Sequence, residues 1–103
     1  MQEKVKQFND SITCHKKPMP TFARILDIQS ELGELAKEYL KSSNYGTSEF
    51  HLEEDFKEEY GDILYALLSL ADEIKLSSEE CLDIALKKLQ SRMDSKNNFG
   101  SGK

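Results

Sequence analysis

Tryptophan is absent from this chain of 103 residues, and the residues that break regular structure are scarce, with 2 prolines and 5 glycines. No stretch alternates apolar and polar side chains in the manner of a half-buried strand. A β-sandwich needs many short strands joined by turns, so this composition argues against one. We therefore expect a soluble all-α protein, and the length suits a single domain.

Long apolar runs are also missing, and none approaches the length of a transmembrane helix. Positive charge is in deficit, because 14 lysines and arginines face 19 aspartates and glutamates, for a formal net charge of −5. An acidic surface is a poor match for a phosphate backbone, so we expect neither a nucleic-acid polymer nor a membrane as partner. A single nucleotide can still bind where divalent cations lie between carboxylates and phosphates.

Cysteine is equally sparse. Cys14 and Cys81 lack the paired spacing of a disulfide framework or a metal site. The first residues show no signal-peptide pattern. Together these features predict free thiols in a reducing compartment, and hence a cytoplasmic protein.

Apolar residues recur at helical spacing in four segments. We predict helices over about 2–12, 21–42, 48–75 and 77–94. Ser77 and Glu80 have the spacing of a capping box at the start of the last helix, and the prolines within 17–20 separate the first two helices. We assign 1–94 to one helical domain and 95–103 to a flexible C-terminal tail.

The second and third predicted helices each carry an apolar arc that covers nearly half of the helical wheel. A chain of this length cannot bury arcs so wide by itself. We therefore expect a four-helix bundle that is completed by homo-oligomerisation, as a homodimer or a homotetramer.

Acidic side chains form one stripe on each of these two helices. The stripes contain Asp27, Glu31, Glu34 and Glu38 on the second helix, and Asp55, Glu59 and Asp62 on the third. Like charges one turn apart repel each other by roughly a few tenths of a kcal/mol. Glu59 lies within the apolar arc of its helix, so its charge loses hydration and needs a partner. Clustered carboxylates suit Mg²⁺ or Mn²⁺, although a solvated acidic face would show the same stripes.

Two segments of these helices resemble the signature of the MazG-like family. The first is Glu31-Leu32-Gly33-Glu34-Leu35, and the second is Glu58-Glu59-Tyr60-Gly61-Asp62-Ile63-Leu64. In that family a Glu-Glu-x-x-Glu segment on one helix precedes a Glu-x-x-Asp segment on the next. Here Ser30 replaces the first glutamate, and 24 residues separate Glu34 from Glu59. The resemblance covers about 22–92, which is most of the chain.

The resemblance implies a four-helix MazG-like fold and an enzyme that hydrolyses a nucleoside or deoxynucleoside triphosphate to the monophosphate and pyrophosphate, by attack of water at the α-phosphorus. It implies Mg²⁺ as cofactor, with Mn²⁺ as a substitute. The catalytic metal ligands implied by the motif are Glu31, Glu34, Glu59 and Asp62. On the last helix, Lys88 and Arg92 resemble basic residues that contact substrate phosphates in the family. The helix dipole also favours basic residues near a C-terminus, whatever their function.

Gly33 and Gly61 belong to the two motif segments and lie inside predicted helices. A glycine there costs about 1 kcal/mol relative to alanine. We expect close helix packing at both positions as compensation.

Two other functions fit parts of the pattern. A phosphoribosyl-ATP pyrophosphohydrolase is similar in length and helices, but that family typically has a histidine after a Leu-Tyr pair, where this chain has Ala66. A non-catalytic helical dimerisation module would leave the acids solvated and insensitive to Mg²⁺. Several aromatic side chains could stack on a nucleobase, although aromatic residues at helical spacing more often belong to the core. They are Phe8, His15, Phe22, Tyr39 and Tyr65.

Overall fold

A computed structural model of the protein describes residues 1–12 and 20–102, with side chains as far as Lys96. All regular structure within these residues is α-helical, as predicted. The helices are α1 (Gln2–Ile12), α2 (Thr21–Ser42), α3 (Glu54–Glu73) and α4 (Ser78–Gly102). The predictions for Cys14, for His15 and for the proline at position 18 lie outside the described residues.

The bounds of α1 and α2 agree with the predicted ones, whereas α3 begins later than position 48 because a loop is stabilised after α2. Ser43 is buried in this loop. Its hydroxyl donates a hydrogen bond to the carbonyl of Tyr39 at 2.9 Å and accepts one from the amide of Gly46 at 3.2 Å. Asn44, Tyr45 and Gly46 all have positive φ, which reverses the chain and delays the next helix.

The last helix is longer than predicted, whereas α3 is shorter. Instead of ending near Asp94, α4 continues to Gly102, and no proline interrupts 95–102. The start is as predicted, because the hydroxyl of Ser77 accepts a hydrogen bond from the amide of Glu80 at 3.2 Å. The flexibility of 95–103 stays a prediction.

α2 and α3 form an antiparallel pair that is stabilised by side-chain contacts at both of its ends. At one end, Arg24 Nε and a terminal guanidinium nitrogen donate to the two carboxylate oxygens of Glu73 at 3.1 and 3.3 Å. At the other end, the rings of Tyr39 and Phe50 stack at 4.9 Å, and Phe50 meets Phe56 edge-on at 5.0 Å. These two contacts set the register of the acidic stripes that lie between them.

α1 packs against the C-terminal half of α3 through a chain of hydrogen bonds. The hydroxyl of Tyr65 donates to Asn9 Oδ1 at 2.6 Å, and Asn9 Nδ2 donates to the hydroxyl of Ser69 at 3.0 Å. Ser69 is fully buried, and the ring of Phe8 meets that of Tyr65 edge-on at 5.9 Å. α3 is therefore the central helix, with α2 and α1 packed against it.

We expect Asn9→Ala to destabilise the fold by roughly 1–3 kcal/mol, because the buried Ser69 hydroxyl would lose its partner. Gln7→Ala, at an exposed position of the same helix, is the control and should change stability little. Urea unfolding followed by circular dichroism measures both variants. Equal stability of the two would show that this network does not hold α1 in place.

The two motif glycines are not closely packed within the chain, contrary to the expectation from the sequence. A Cβ atom built on Gly33 or Gly61 would meet no other group of the described residues within 4 Å. The space beside both helical glycines is therefore open on the single chain.

We expect Gly61→Ala to stabilise the protein by about 1 kcal/mol, because alanine favours a helix and meets no neighbour here. Gly46→Ala serves as the matched control. Its position has φ of +84°, so a side chain there should destabilise the protein instead. Thermal unfolding distinguishes the two signs, and a loss of stability in Gly61→Ala would mean that another surface covers this position.

Most of the apolar side chains that the structure describes remain outside the core. Among the described residues, the buried apolar ones are only Ile63, Ala66, Leu68 and Ala71. The radius of gyration is 18.2 Å, whereas a compact domain of this length has about 13 Å. The surface is consistent with the expected homo-oligomer, whose existence stays a prediction. Among the described residues, no helix combines the length and the hydropathy that a membrane-spanning segment requires.

Candidate metal centre

Three of the predicted metal ligands converge where α2 and α3 face each other. Glu31 of α2 and Glu59 and Asp62 of α3 each place a carboxylate oxygen so that all three atoms lie within 4.8 Å of one another. The spacing of Glu59 and Asp62 puts both on one face of α3. Glu31 and Glu59 are half-buried, and Asp62 is exposed. This group is called the acidic cluster below.

Glu34, the fourth predicted ligand, lies outside the acidic cluster. It is exposed on α2, one turn after Glu31. Its charge is nevertheless close enough to act on Glu59. Direct coordination by Glu34 stays a prediction.

Glu59 has the most perturbed charge in this region. Its pKa is raised above the usual glutamate value, and loss of hydration is the largest cause. Neighbouring carboxylates raise the pKa of Glu59 further, in decreasing order Asp62, Glu31, Glu34 and Glu38. The half-buried position of Glu59 agrees with the expected partial loss of hydration, whereas its placement among apolar side chains stays a prediction.

No basic side chain relieves this repulsion within the described part of the chain. The ion pairs there join other acids, including Glu38 with Lys41 at 3.5 Å and Glu73 with Arg24 at 3.1 Å, and none involves the acidic cluster. A divalent cation fits the donor set, because it would bind the oxygens and compensate their charges.

The two basic residues predicted to bind substrate are exposed on α4. Neither Lys88 nor Arg92 forms an ion pair with the acidic cluster in the described structure. Within one chain, Lys88 and Arg92 therefore do not neutralise the acidic cluster through a direct ion pair.

The aromatic candidates for nucleobase stacking have different environments. Phe8 and Tyr65 pack against each other, and Tyr39 stacks on Phe50, so these three rings serve the packing of the chain. Phe22 is 69% exposed and open to a ligand or a partner. The Arg24–Glu73 pair was not predicted, and its two residues are too far apart in sequence for any local pattern to reveal it.

Comparison with known proteins adds a relative of unassigned activity. No protein-family model matches the chain, and no solved structure matches it significantly. The chain is 37% identical over 78 residues to the uncharacterized protein YpjD of Bacillus subtilis (strain 168). The aligned region covers 73% of this chain and 66% of that protein, slightly under two thirds of its length. The acidic cluster is therefore the feature of this chain that bears most directly on its function.

Proposed function

We propose that the protein is a Mg²⁺-dependent nucleotide pyrophosphohydrolase, which converts a nucleoside or deoxynucleoside triphosphate to the monophosphate and pyrophosphate. The observation that carries the proposal is the convergence of Glu31, Glu59 and Asp62, which form no ion pair with a basic side chain among the described residues. The MazG-like resemblance supports it as well, because three of the four residues that its motif selects belong to the acidic cluster.

The proposed cofactor follows from the chemistry of the donors. Carboxylate oxygens are hard ligands, which suit Mg²⁺ and, as a substitute, Mn²⁺. In the proposal Glu31, Glu59 and Asp62 hold the ion, and Glu34 joins them from the exposed side. A metal ion held by these residues would neutralise the charge of the phosphates and lower the pKa of a bound water.

The protein contributes a preorganised arrangement of charge. The Arg24–Glu73 pair and the stacked rings of Tyr39 and Phe50 fix α2 against α3, so the repelling carboxylates cannot separate freely. Preorganised electrostatic groups lower a reaction barrier because they need no rearrangement during the reaction.

The proposed reaction is a hydrolysis in which water adds to the α-phosphorus. The bond from the α-phosphorus to the bridging oxygen breaks, and pyrophosphate leaves with that oxygen. A carboxylate of the site accepts the proton of the water. Lys88 and Arg92 stabilise the negative charge of the phosphates.

Pyrophosphate release from a panel of nucleotides tests the proposal. The panel contains canonical and damaged nucleoside and deoxynucleoside triphosphates together with phosphoribosyl-ATP, each with Mg²⁺ and with a chelator. We expect release that requires the metal and that favours a triphosphate over phosphoribosyl-ATP. A non-catalytic interaction module would release nothing from any substrate, and its melting temperature would not respond to Mg²⁺.

A further inference from the structure

α3 ends in a turn whose backbone hydrogen bonds follow the Schellman pattern. The amide of Leu76 donates to the carbonyl of Ala71 at 2.8 Å. The amide of Lys75 donates to the carbonyl of Asp72 at 3.3 Å. Lys75 has φ of +61°, which is the left-handed conformation that closes such a motif. Within the described backbone, this turn leaves the carbonyl of Leu76 and the amide of Ser78 without backbone partners.

The side-chain amide of Gln2, at the start of α1, binds both of these backbone groups. Its Nε2 donates to the carbonyl of Leu76 at 2.8 Å, and its Oε1 accepts a hydrogen bond from the amide of Ser78 at 2.8 Å. The two bonds lie on either side of Ser77, whose hydroxyl caps α4. Because one planar amide holds two backbone groups, it fixes the orientation of the peptide units between α3 and α4.

Few other contacts hold α4 in its direction. Among the described residues, no ion pair joins α4 to another helix. The bond between Gln2 and Ser78 is the one side-chain hydrogen bond between α4 and another helix in that part of the chain. The side chains of Leu82, Leu86 and Leu89 are each at least 50% exposed. The direction in which α4 leaves α3 therefore depends on the turn and on Gln2.

A small change of this direction has a large effect on the residues farther along α4. At about 1.5 Å per residue, Lys88 and Arg92 lie about 15 and 21 Å from Ser78. A tilt of about 20° at the turn would move them by about 5 and 7 Å. Such a displacement exceeds the length of a charge-assisted hydrogen bond, about 2.8 Å. Contact of either cation with a phosphate is therefore sensitive to the conformation of the turn.

We propose that Gln2 is a positioning residue, whose amide sets the direction of α4 and thereby the place of Lys88 and Arg92 in the reaction. Gln2 is hydrogen-bonded to the turn and not to the two cations, so it acts on them through the backbone. The effect on turnover rests on the proposed function. The control of the direction of α4 rests only on the hydrogen bonds of the turn.

Distances between spin labels test the direction of α4 without reference to activity. The labels are attached to Glu58→Cys on α3 and Ser91→Cys on α4, which are exposed positions. Cys14 and Cys81 are replaced by serine, and labelled chains are diluted with unlabelled ones. We expect one narrow distance distribution when Gln2 is present. In Gln2→Met, which keeps the length of the side chain but forms neither bond, the distribution should shift or broaden by about 5 Å or more.

Two further variants keep this measurement decisive. Gln7→Met, at an exposed position of α1, is the matched control and should leave the distribution unchanged. Gln2→Asn keeps the amide but is one methylene shorter, so it cannot reach both backbone groups and should behave as Gln2→Met does. Wild-type distributions in Gln2→Met and Gln2→Asn would overturn the proposal.

Kinetic measurements test the consequence for turnover. Gln2→Met should lower kcat/KM by roughly threefold to tenfold, because the cations lose their place beside the phosphates. The rise in melting temperature that Mg²⁺ produces should stay at its wild-type value, because the acidic cluster lies between α2 and α3 and does not involve the turn. A wild-type kcat/KM in Gln2→Met, beside an active wild type, would overturn the positioning role.

A double-mutant cycle separates positioning from a general effect on stability. If Gln2 acts through the cations, Gln2→Met should cause no further loss of kcat/KM in the double variant Lys88→Ala/Arg92→Ala. The same fold-loss in both backgrounds would overturn the positioning role. A wild type that releases no pyrophosphate would instead refute the proposed function, and the spin-label distances alone would then decide whether Gln2 sets the direction of α4.

Discussion

Replacing Glu59 with glutamine should abolish most pyrophosphate release and shrink the rise in melting temperature that Mg²⁺ produces. The substitution keeps the shape of the side chain and removes one charge from the acidic cluster. A metal that binds only the folded state stabilises it by an amount that depends on its affinity, so a weaker site gives a smaller shift. Glu58→Gln is the matched control, because Glu58 is the neighbouring exposed glutamate and lies outside the cluster.

Glu59→Gln should also change the stability of the metal-free protein. The folded state raises the pKa of Glu59, so it binds the proton of this carboxyl more tightly than the unfolded state does. Deprotonation therefore costs stability as pH rises from the usual carboxyl pKa, about 4.3, through the raised value. We expect Glu59→Gln to be more stable than wild type near neutral pH, and the difference to vanish below the usual pKa.

Thermal unfolding with a chelator, over a series of pH values, measures this difference. An unchanged turnover together with an unchanged Mg²⁺ effect in Glu59→Gln would disprove the carboxylate mechanism. The helical interaction module would then be the better description of the protein.

Lys88→Ala and Arg92→Ala should each lower kcat/KM by roughly tenfold or more while leaving the melting temperature nearly unchanged. The loss is expected because each residue stabilises phosphate charge in the proposal. The fold should tolerate both changes, because the two side chains are exposed and form no ion pair in the described structure. Lys87→Ala is the control, since Lys87 lies on a different edge of α4. Wild-type kinetics in both variants would make these residues ordinary surface charges.

Helical periodicity was sufficient to predict the elements that depend on local sequence. α1 and α2 have the predicted bounds, and the Ser77 cap of α4 is where its motif placed it. The delayed start of α3 depends on the buried Ser43, whose hydrogen bonds form only once the loop is folded. Because each of those bonds depends on the conformation of a neighbouring turn, no apolar pattern could have revealed them.

For the acidic cluster, too, the sequence predicted the features that depend on a single helix and missed those that depend on how the helices pack. The spacing of Glu59 and Asp62 predicted their shared face, and the apolar arc predicted the poor hydration of Glu59. The distance of Glu34 from the other three acids depends on how far α2 is rotated against α3. The Arg24–Glu73 pair that helps to set this rotation joins residues 49 positions apart. Such a contact is a property of tertiary packing, which periodicity within single helices does not contain.

The small apolar core of the single chain has a consequence for how the protein would respond to its own abundance. In the expected homo-oligomer, much of the apolar burial would be supplied by a second copy, so folding and assembly would be linked by mass action. Dilution below the dissociation constant would then weaken the fold and the proposed site in the same step. The rate of hydrolysis per chain would consequently rise with the amount of protein synthesised, which gives a cell a threshold for this activity without any separate regulator.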